Sequence, residues 1–198
     1  MTSNGSLITK KVIAYAFKDL MKTKEFQKIS ITEIMTHADY RRQTFYDHFS
    51  DKYDLLEWIY QQDMSETMEH FINYDHWTKI IPRLLNYFEK NKLFYKKTLM
   101  LKEQNSFDQY FVNHTEHFIL SILEQEKLDL NKQDDDYVQK LARFQAFGLS
   151  SFITEWVLND CLSSKDELGD FLIQVIQDSF HGLSLPNKQT PDTSSTTE

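Results

Sequence analysis

A single cysteine, Cys161, stands in the whole chain, which excludes an intrachain disulfide and leaves the fold to apolar packing and polar contacts. Only four glycines and three prolines interrupt the sequence, and no glycine-rich phosphate loop is present. Strand-type alternation and internal repeats are also missing. Apolar runs such as Val12 to Phe17 fall far short of the roughly 18 residues a membrane span needs, and Met1 to Leu7 lacks a signal-peptide pattern. These absences point to an all-α protein of the cytoplasm with no membrane partner, and the lone thiol fits a reducing compartment.

What is present suffices for a core. A chain of 198 residues with 40% apolar content can bury one helical domain plus a smaller one. The net charge of −8 excludes a general nucleic-acid coat protein, which needs a large basic excess. Its distribution is uneven: residues 1–60 hold nine Lys and Arg against eight Asp and Glu, and the remainder holds thirteen against twenty-two. Contact with a polyanion is therefore expected from the N-terminal third.

That third reads as a three-helix unit. Ile13, Ala16, Phe17 and Leu20 recur at helical spacing between Leu7 and Lys24, with Lys10, Lys11, Lys18 and Lys22 off the stripe. Ser30 and Glu33 then form an S-x-x-E capping box, flanked by Ile29 and Ile34 at staple positions, which starts a second helix carrying Ile31, Ile34, Met35 and Ala38. The pattern stops at Asp39-Tyr40. In the next run, Arg41 to Phe49, the pair Phe45 and Phe49 anchors one face, while Arg42, Gln43 and Tyr46 share the opposite face, flanked by Thr44 and His48. Asp51 and Asp54 open a fourth helix expected to run to about Phe71 and to connect two domains.

Two helices on a tight turn, the second short and rich in Arg, Gln, Thr and Tyr, meet the requirements of major-groove reading. Arg pairs bidentately with guanine and Gln with adenine, while hydroxyls and Lys hold phosphate. The same arginines read in isolation would be solvated surface charges.

The segments Ile31-Thr32-Glu33-Ile34, Thr44-Phe45-Tyr46-Asp47-His48-Phe49-Ser50-Asp51-Lys52 and Leu55-Leu56 resemble the N-terminal signature of the TetR family of bacterial regulators, over about residues 7–60. The longer string from Arg41 to Tyr60 resembles the subgroup that regulates dihydroxyacetone kinase operons. The resemblance implies that Arg42 and Gln43 face bases, and that Thr44, Tyr46 and His48 touch backbone or base edges. It further implies that Lys52 binds phosphate, and that Thr32 adds a phosphate contact at a helix N-terminus. Many relatives carry Gly where Asp39 stands and a capping Ser or Thr where Arg41 stands. Asp tolerates a left-handed turn, whereas Arg41 cannot cap and becomes a candidate DNA contact.

Beyond His76 five helices are expected, giving about nine in all: Trp77 to Lys90 with Pro82 as an early break, Lys92 to Lys102, Phe107 to Lys127, Asp134 to Asn159, and Lys165 to Leu183. The last two carry the stripes Leu141, Gln145, Gly148, Phe152, Trp156 and Leu168, Leu172, Val175, Ile176, which the resemblance assigns to a four-helix homodimer interface; an internal core stripe is the alternative. The expected domains are a disordered 1–6, a helix-turn-helix unit 7–55, a regulatory and dimerisation unit 56–184, and a disordered Pro/Ser/Thr-rich tail 185–198.

The aromatics between Phe71 and Phe118 favour a filled core over an effector cavity. The subgroup resemblance then implies an activator whose partners are double-stranded operator DNA, a second copy, and a kinase-like coactivator protein. A ligand-released repressor and a small helical binding protein without a DNA role are the alternatives. No cofactor, metal site or catalytic residue is expected. His114 and His117 lack further ligands at convincing spacing, Asp134-Asp135-Asp136 suits helix initiation, and Cys161 lacks a catalytic pattern.

Overall fold

Ser30 sets the geometry of the N-terminal unit. Its side chain accepts from the Glu33 backbone N–H, and the Glu33 carboxylate accepts from the Ser30 N–H at 2.9 Å, completing the expected capping box. Ile29 and Ile34 on either side of the cap are fully buried. The computed structural model describes residues 3–66, 76–101, 106–126 and 135–184, and among them the chain is all-α with no strand.

Among the described residues there are nine α-helices: α1 (Ser3–Thr23), α2 (Ile31–His37), α3 (Arg42–Tyr46), α4 (Lys52–Met64), α5 (Ile80–Lys90), α6 (Lys92–Leu99), α7 (Ser106–Gln125), α8 (Asp135–Leu158) and α9 (Lys165–Ser184). Three-residue 3-10 turns precede α2, at Phe26–Lys28, and α5, at Trp77–Lys79. None of these helices is long and apolar enough to cross a membrane.

The chain departs from its pattern in three places. Ser3 to Ser6, expected to be disordered, form the first turn of α1. Pro82 does not break a helix: it is the third residue of α5, where a missing N–H removes no intrahelical bond. The reading helix is shorter than its motif, ending at Tyr46, and a turn held by His48 N to Phe45 O (3.0 Å) and Phe49 N to Phe45 O (2.9 Å) carries the chain onward. The expected extension of α4 to Phe71 and the tail 185–198 lie outside the described residues.

Aromatic rings join the two parts of the molecule. Phe17 of α1 meets Phe26 at 5.9 Å and Phe94 of α6 at 6.4 Å, both edge-on. Tyr60 of α4 stacks on Tyr95 at 6.1 Å, and Phe88 meets Tyr95 at 4.7 Å and Phe111 at 5.4 Å. Trp77, Phe88, Phe94, Tyr95, Phe111 and Phe118 are all buried, as the filled-core reading expects. Against this centre α7 packs along α8, and α9 packs on α5.

Candidate DNA interface and dimer face

The turn between α2 and α3 depends on Asp39, which adopts φ 57 in the left-handed region. Asp pays less there than most non-glycine residues, because its short polar side chain suits that conformation. Tyr40 N then donates to Met35 O at 2.9 Å, closing α2 before the chain enters α3. Arg41 is the N-cap of α3 and makes no side-chain cap, so its guanidinium is left for other partners.

Phe45 and Phe49 are buried with ring centroids 5.6 Å apart, which pins the short helix to the body. Its other face is open. Arg41, Arg42, Gln43 and Tyr46 are exposed and Thr44 is half-buried, while Thr32 is exposed in the first turn of α2. The Arg42 guanidinium donates to the Tyr46 hydroxyl at 3.1 Å and lies 5.8 Å from that ring. One donor of five is thereby used, and the side chain is steadied along the helix. His48 is half-buried, with Nδ1 3.5 Å from the Ser6 hydroxyl of α1.

Lys52 is placed differently from its expected role. Its ammonium, half-buried, donates to the carbonyls of Phe26 at 2.9 Å and Ile29 at 2.7 Å, with Gln27 O at 3.5 Å. A side chain turned inward onto three carbonyls does not reach toward phosphate in this conformation. Neighbouring charges are likewise paired: Lys24 meets Glu33 at 2.5 Å, holding that carboxyl down at about 2, with the Ser30 bonds as the second cause. Lys22 lowers Asp19 in the same way.

The expected dimer residues divide. Leu141 is half-buried and Gly148 and Phe152 are exposed, but Gln145 and Trp156 are buried within the protomer, bonded to Ser179 and to Ser163 O. In α9, Leu168 and Val175 are half-buried, whereas Leu172 and Ile176 are buried. Those four buried residues belong to the intramolecular core. α8 is apolar around much of its circumference, so the periodicity alone straddled two faces.

The open face lies one step round the helix: Tyr137 (51% exposed), Phe144 (74%) and Phe152 (50%), continued by Phe171 (48%) of α9, whose ring lies 5.5 Å from that of Phe152. Tyr137, Leu141, Phe144 and Gly148 recur at four, three and four residues, a signal available in the sequence but overlapped by the inner stripe. Exposed aromatics in such number mark an association surface.

Also unforeseen is a polar cluster where α1, α4, α5 and α6 meet. Lys18 Nζ lies 2.8 and 2.7 Å from the Asp63 carboxylate oxygens and 3.2 Å from the Tyr87 hydroxyl, and the Tyr95 hydroxyl donates to Asp63 at 2.7 Å. Burial first, then the Asp63 charge, pushes both phenols well above their ordinary range.

Two short helices joined by a left-handed turn, with an open polar face on a helical body and a separate exposed apolar face, define a helix-turn-helix transcription regulator. The chain belongs to the TetR family of transcriptional regulators. A TetR family model described as "Transcriptional regulator C-terminal region" matches residues 75–178. The chain is 32% identical over 154 residues to the HTH-type dhaKLM operon transcriptional activator DhaS of Lactococcus lactis, covering 77% of this chain and 81% of that protein.

Among solved structures it resembles the dihydroxyacetone kinase operon activator DhaS, with a TM-score of 0.76 and 28% identity over 88% of this chain and 97% of that one. A transcriptional regulator FadR from Bacillus subtilis, solved with stearoyl-CoA, gives a TM-score of 0.60 at 16% identity over 84% and 96% of the two chains, a likeness of fold alone. All are regulators, and this chain is a TetR-type, DhaS-like transcriptional regulator.

Proposed function

We propose that the protein activates an operon for dihydroxyacetone kinase, reading a palindromic operator as a homodimer. The likeness to DhaS over 81% of that relative carries the proposal. In this reading Arg42 pairs with guanine and Gln43 with adenine, Arg41, Thr44, Tyr46 and His48 hold the backbone or base edges, and Thr32 meets a phosphate at the start of α2. Leu141, Phe144, Gly148, Phe152, Leu168, Phe171 and Val175 form the dimer seam, which brings two α3 helices onto half-sites about 34 Å or a multiple apart.

The signal arrives through a kinase-like coactivator protein, a reading supported by the aromatic rings that fill the interior between α4, α5, α6 and α7. A calorimetric titration in which dihydroxyacetone binds the isolated protein tightly would sink that part. For the DNA part, the wild-type protein is used to enrich duplexes from a randomised pool. Arg42→Ala and Gln43→Ala should each relax preference at one position, by about 1–3 kcal/mol of discrimination. Unchanged preference in both variants refutes the assigned face.

A ligand-released repressor is the second reading. An open groove of about 250 Å³ between α7 and α8, lined by Asp108, Gln109, Ser150, Ser151 and Thr154 over Phe111 and Val112, favours it. Burial raises the Asp108 carboxyl above its ordinary value, so a hydrogen-bonding ligand would meet a partly desolvated acid there. A reporter driven by the enriched duplex separates the two, rising with the protein for an activator and falling for a repressor.

A further inference from the structure

Lys52 opens α4, where a cation opposes the positive end of the helix dipole. Asp51 caps that helix by accepting from the N–H groups of Tyr53 (2.7 Å) and Asp54 (2.9 Å), and Asp54 accepts from Ser50 N at 2.8 Å. These acids offset the dipole but do not touch the ammonium. The ammonium instead points back across the molecule, with the carbonyls of Ile29, Phe26 and Gln27 at 2.7, 2.9 and 3.5 Å facing its three N–H donors. It also lies 4.6 Å above the Phe26 ring, and the next residue, Tyr53, packs against that ring at 4.9 Å. Desolvation lowers the Lys52 pKa, with the Glu33 carboxylate opposing the shift.

The carbonyls belong to one short stretch: Phe26 and Gln27 in the 3-10 turn, and Ile29 immediately before the Ser30 cap of α2. Whatever fixes these three peptide groups fixes the angle at which α2 departs, and α3 follows α2 through the Asp39 turn. The other side of the same connection is held from the C-terminal part of the chain, where Lys97 of α6 donates to Met21 O at 2.8 Å and Lys24 O at 3.0 Å. The α1–α2 connection is thus held between two ammonium groups on different helices.

We infer that Lys52 is a positioning residue for DNA reading: its ammonium orients α2 and α3 through the Phe26 to Ile29 carbonyls and neutralises no phosphate. The inference rests on the DNA-reading function proposed above.

The test measures binding of a duplex enriched by the wild-type protein, and of an unrelated duplex, across a salt series for Lys52→Met and Lys52→Arg. A positioning role predicts that Lys52→Met loses roughly tenfold or more of specific affinity, the scale of a lost charged hydrogen bond, while the unrelated duplex and the salt slope are unchanged. Lys52→Arg should lose specific affinity too, since a planar guanidinium does not replace a compact ammonium among three carbonyls.

A phosphate ligand predicts the reverse. Both duplexes weaken together in Lys52→Met, the slope of log K against log salt flattens by about 0.9 for each phosphate no longer neutralised, and Lys52→Arg binds like wild type. That result overturns the inference, as does specific affinity unchanged in both variants. Should Lys52→Met fail to fold, Lys52→Arg decides by itself, because it keeps the charge and changes only the head group. A wild-type chain that enriches no duplex overturns the DNA reading itself and this inference with it, an outcome distinct from any behaviour of the variants.

Discussion

Removing the Asp63 carboxylate tests how the DNA-reading part is fastened to the rest of the chain. Asp63 and Lys18 side chains are 11% and 24% exposed, and the pair is joined by the Tyr95 hydroxyl at 2.7 Å and, through Lys18, the Tyr87 hydroxyl at 3.2 Å. Truncating one member of a buried pair costs about 3–5 kcal/mol, because the remaining charge stays desolvated. Lys18 reaches water over a quarter of its side chain, which places Asp63→Ala near the lower end, at about 3 kcal/mol. For a chain of this size each kcal/mol moves Tm by about 2–4 °C, so the expected fall is roughly 6–12 °C.

Lys11 and Glu66 provide an internal control. This pair also spans α1 and the chain just beyond α4, at 2.7 Å, but its side chains are 49% and 54% exposed. Glu66→Gln should therefore shift Tm little, within the roughly 0–1 kcal/mol expected of surface pairs. Thermal unfolding by circular dichroism at one fixed protomer concentration is the assay, since association itself stabilises. Lys18→Met combined with Asp63→Ala should lose less than the two single losses added, by about 1–3 kcal/mol of coupling. A fall of under about 3 °C for Asp63→Ala, or strict additivity in the double variant, refutes the assignment of this cluster as the fastening point.

Two further outcomes follow from the same geometry. The Glu33 carboxyl, ordinarily near 4.5, is held at about 2 by Lys24 and by Ser30, so the folded state binds its proton less readily than the unfolded chain. Its contribution is complete above about pH 4.5 and lost as pH falls toward 2; melts from about pH 6 to about pH 2.5 should show the gap between wild type and Glu33→Gln closing, and a gap constant with pH contradicts this. At the proposed dimer seam, Phe144→Arg places a charge on the most exposed of the four aromatics there, and sedimentation equilibrium should shift toward monomer with the protomer's helix content intact; an undiminished dimer places the seam elsewhere.

The start of α2 at the Ser30 cap, the left-handed Asp39 and the anchors Phe45 and Phe49 were all readable from the chain, because each rests on neighbours within about one helical turn. The placement of Lys52 was not readable, for the opposite reason. Its partners Phe26 and Ile29 lie 26 and 23 residues away, and no local pattern says whether an ammonium after a reading helix turns outward or inward. The Lys18, Asp63, Tyr87 and Tyr95 cluster joins residues 32 to 69 positions apart and left no trace in periodicity. On α8 the difficulty was excess rather than lack of signal. Apolar residues line both the inner and outer faces, and only the tertiary contacts show that Gln145 turns inward onto α9 and Trp156 onto the Ser163 carbonyl while Phe144 turns out.

Charge pairing also explains how an acidic chain can read a polyanion. Of the nine cations in residues 1–60, Lys11, Lys18, Lys22 and Lys24 are paired with carboxylates, and Lys52 with carbonyls. Lys10 lies over the rings of Phe49 and Trp58, at 5.2 and 5.7 Å. Lys10, Lys28, Arg41, Arg42 and Lys52 make no ion pair among the described residues. With nine cations against eight acids, residues 1–60 carry little excess positive charge, so the counterion-release contribution that drives indiscriminate binding is small. With a net acidic C-terminal part adding repulsion, discrimination in the proposed reading comes from the few side chains of α3 and from where the fold holds them. In that reading the hold on DNA depends on how α2 and α3 are placed more than on bulk charge.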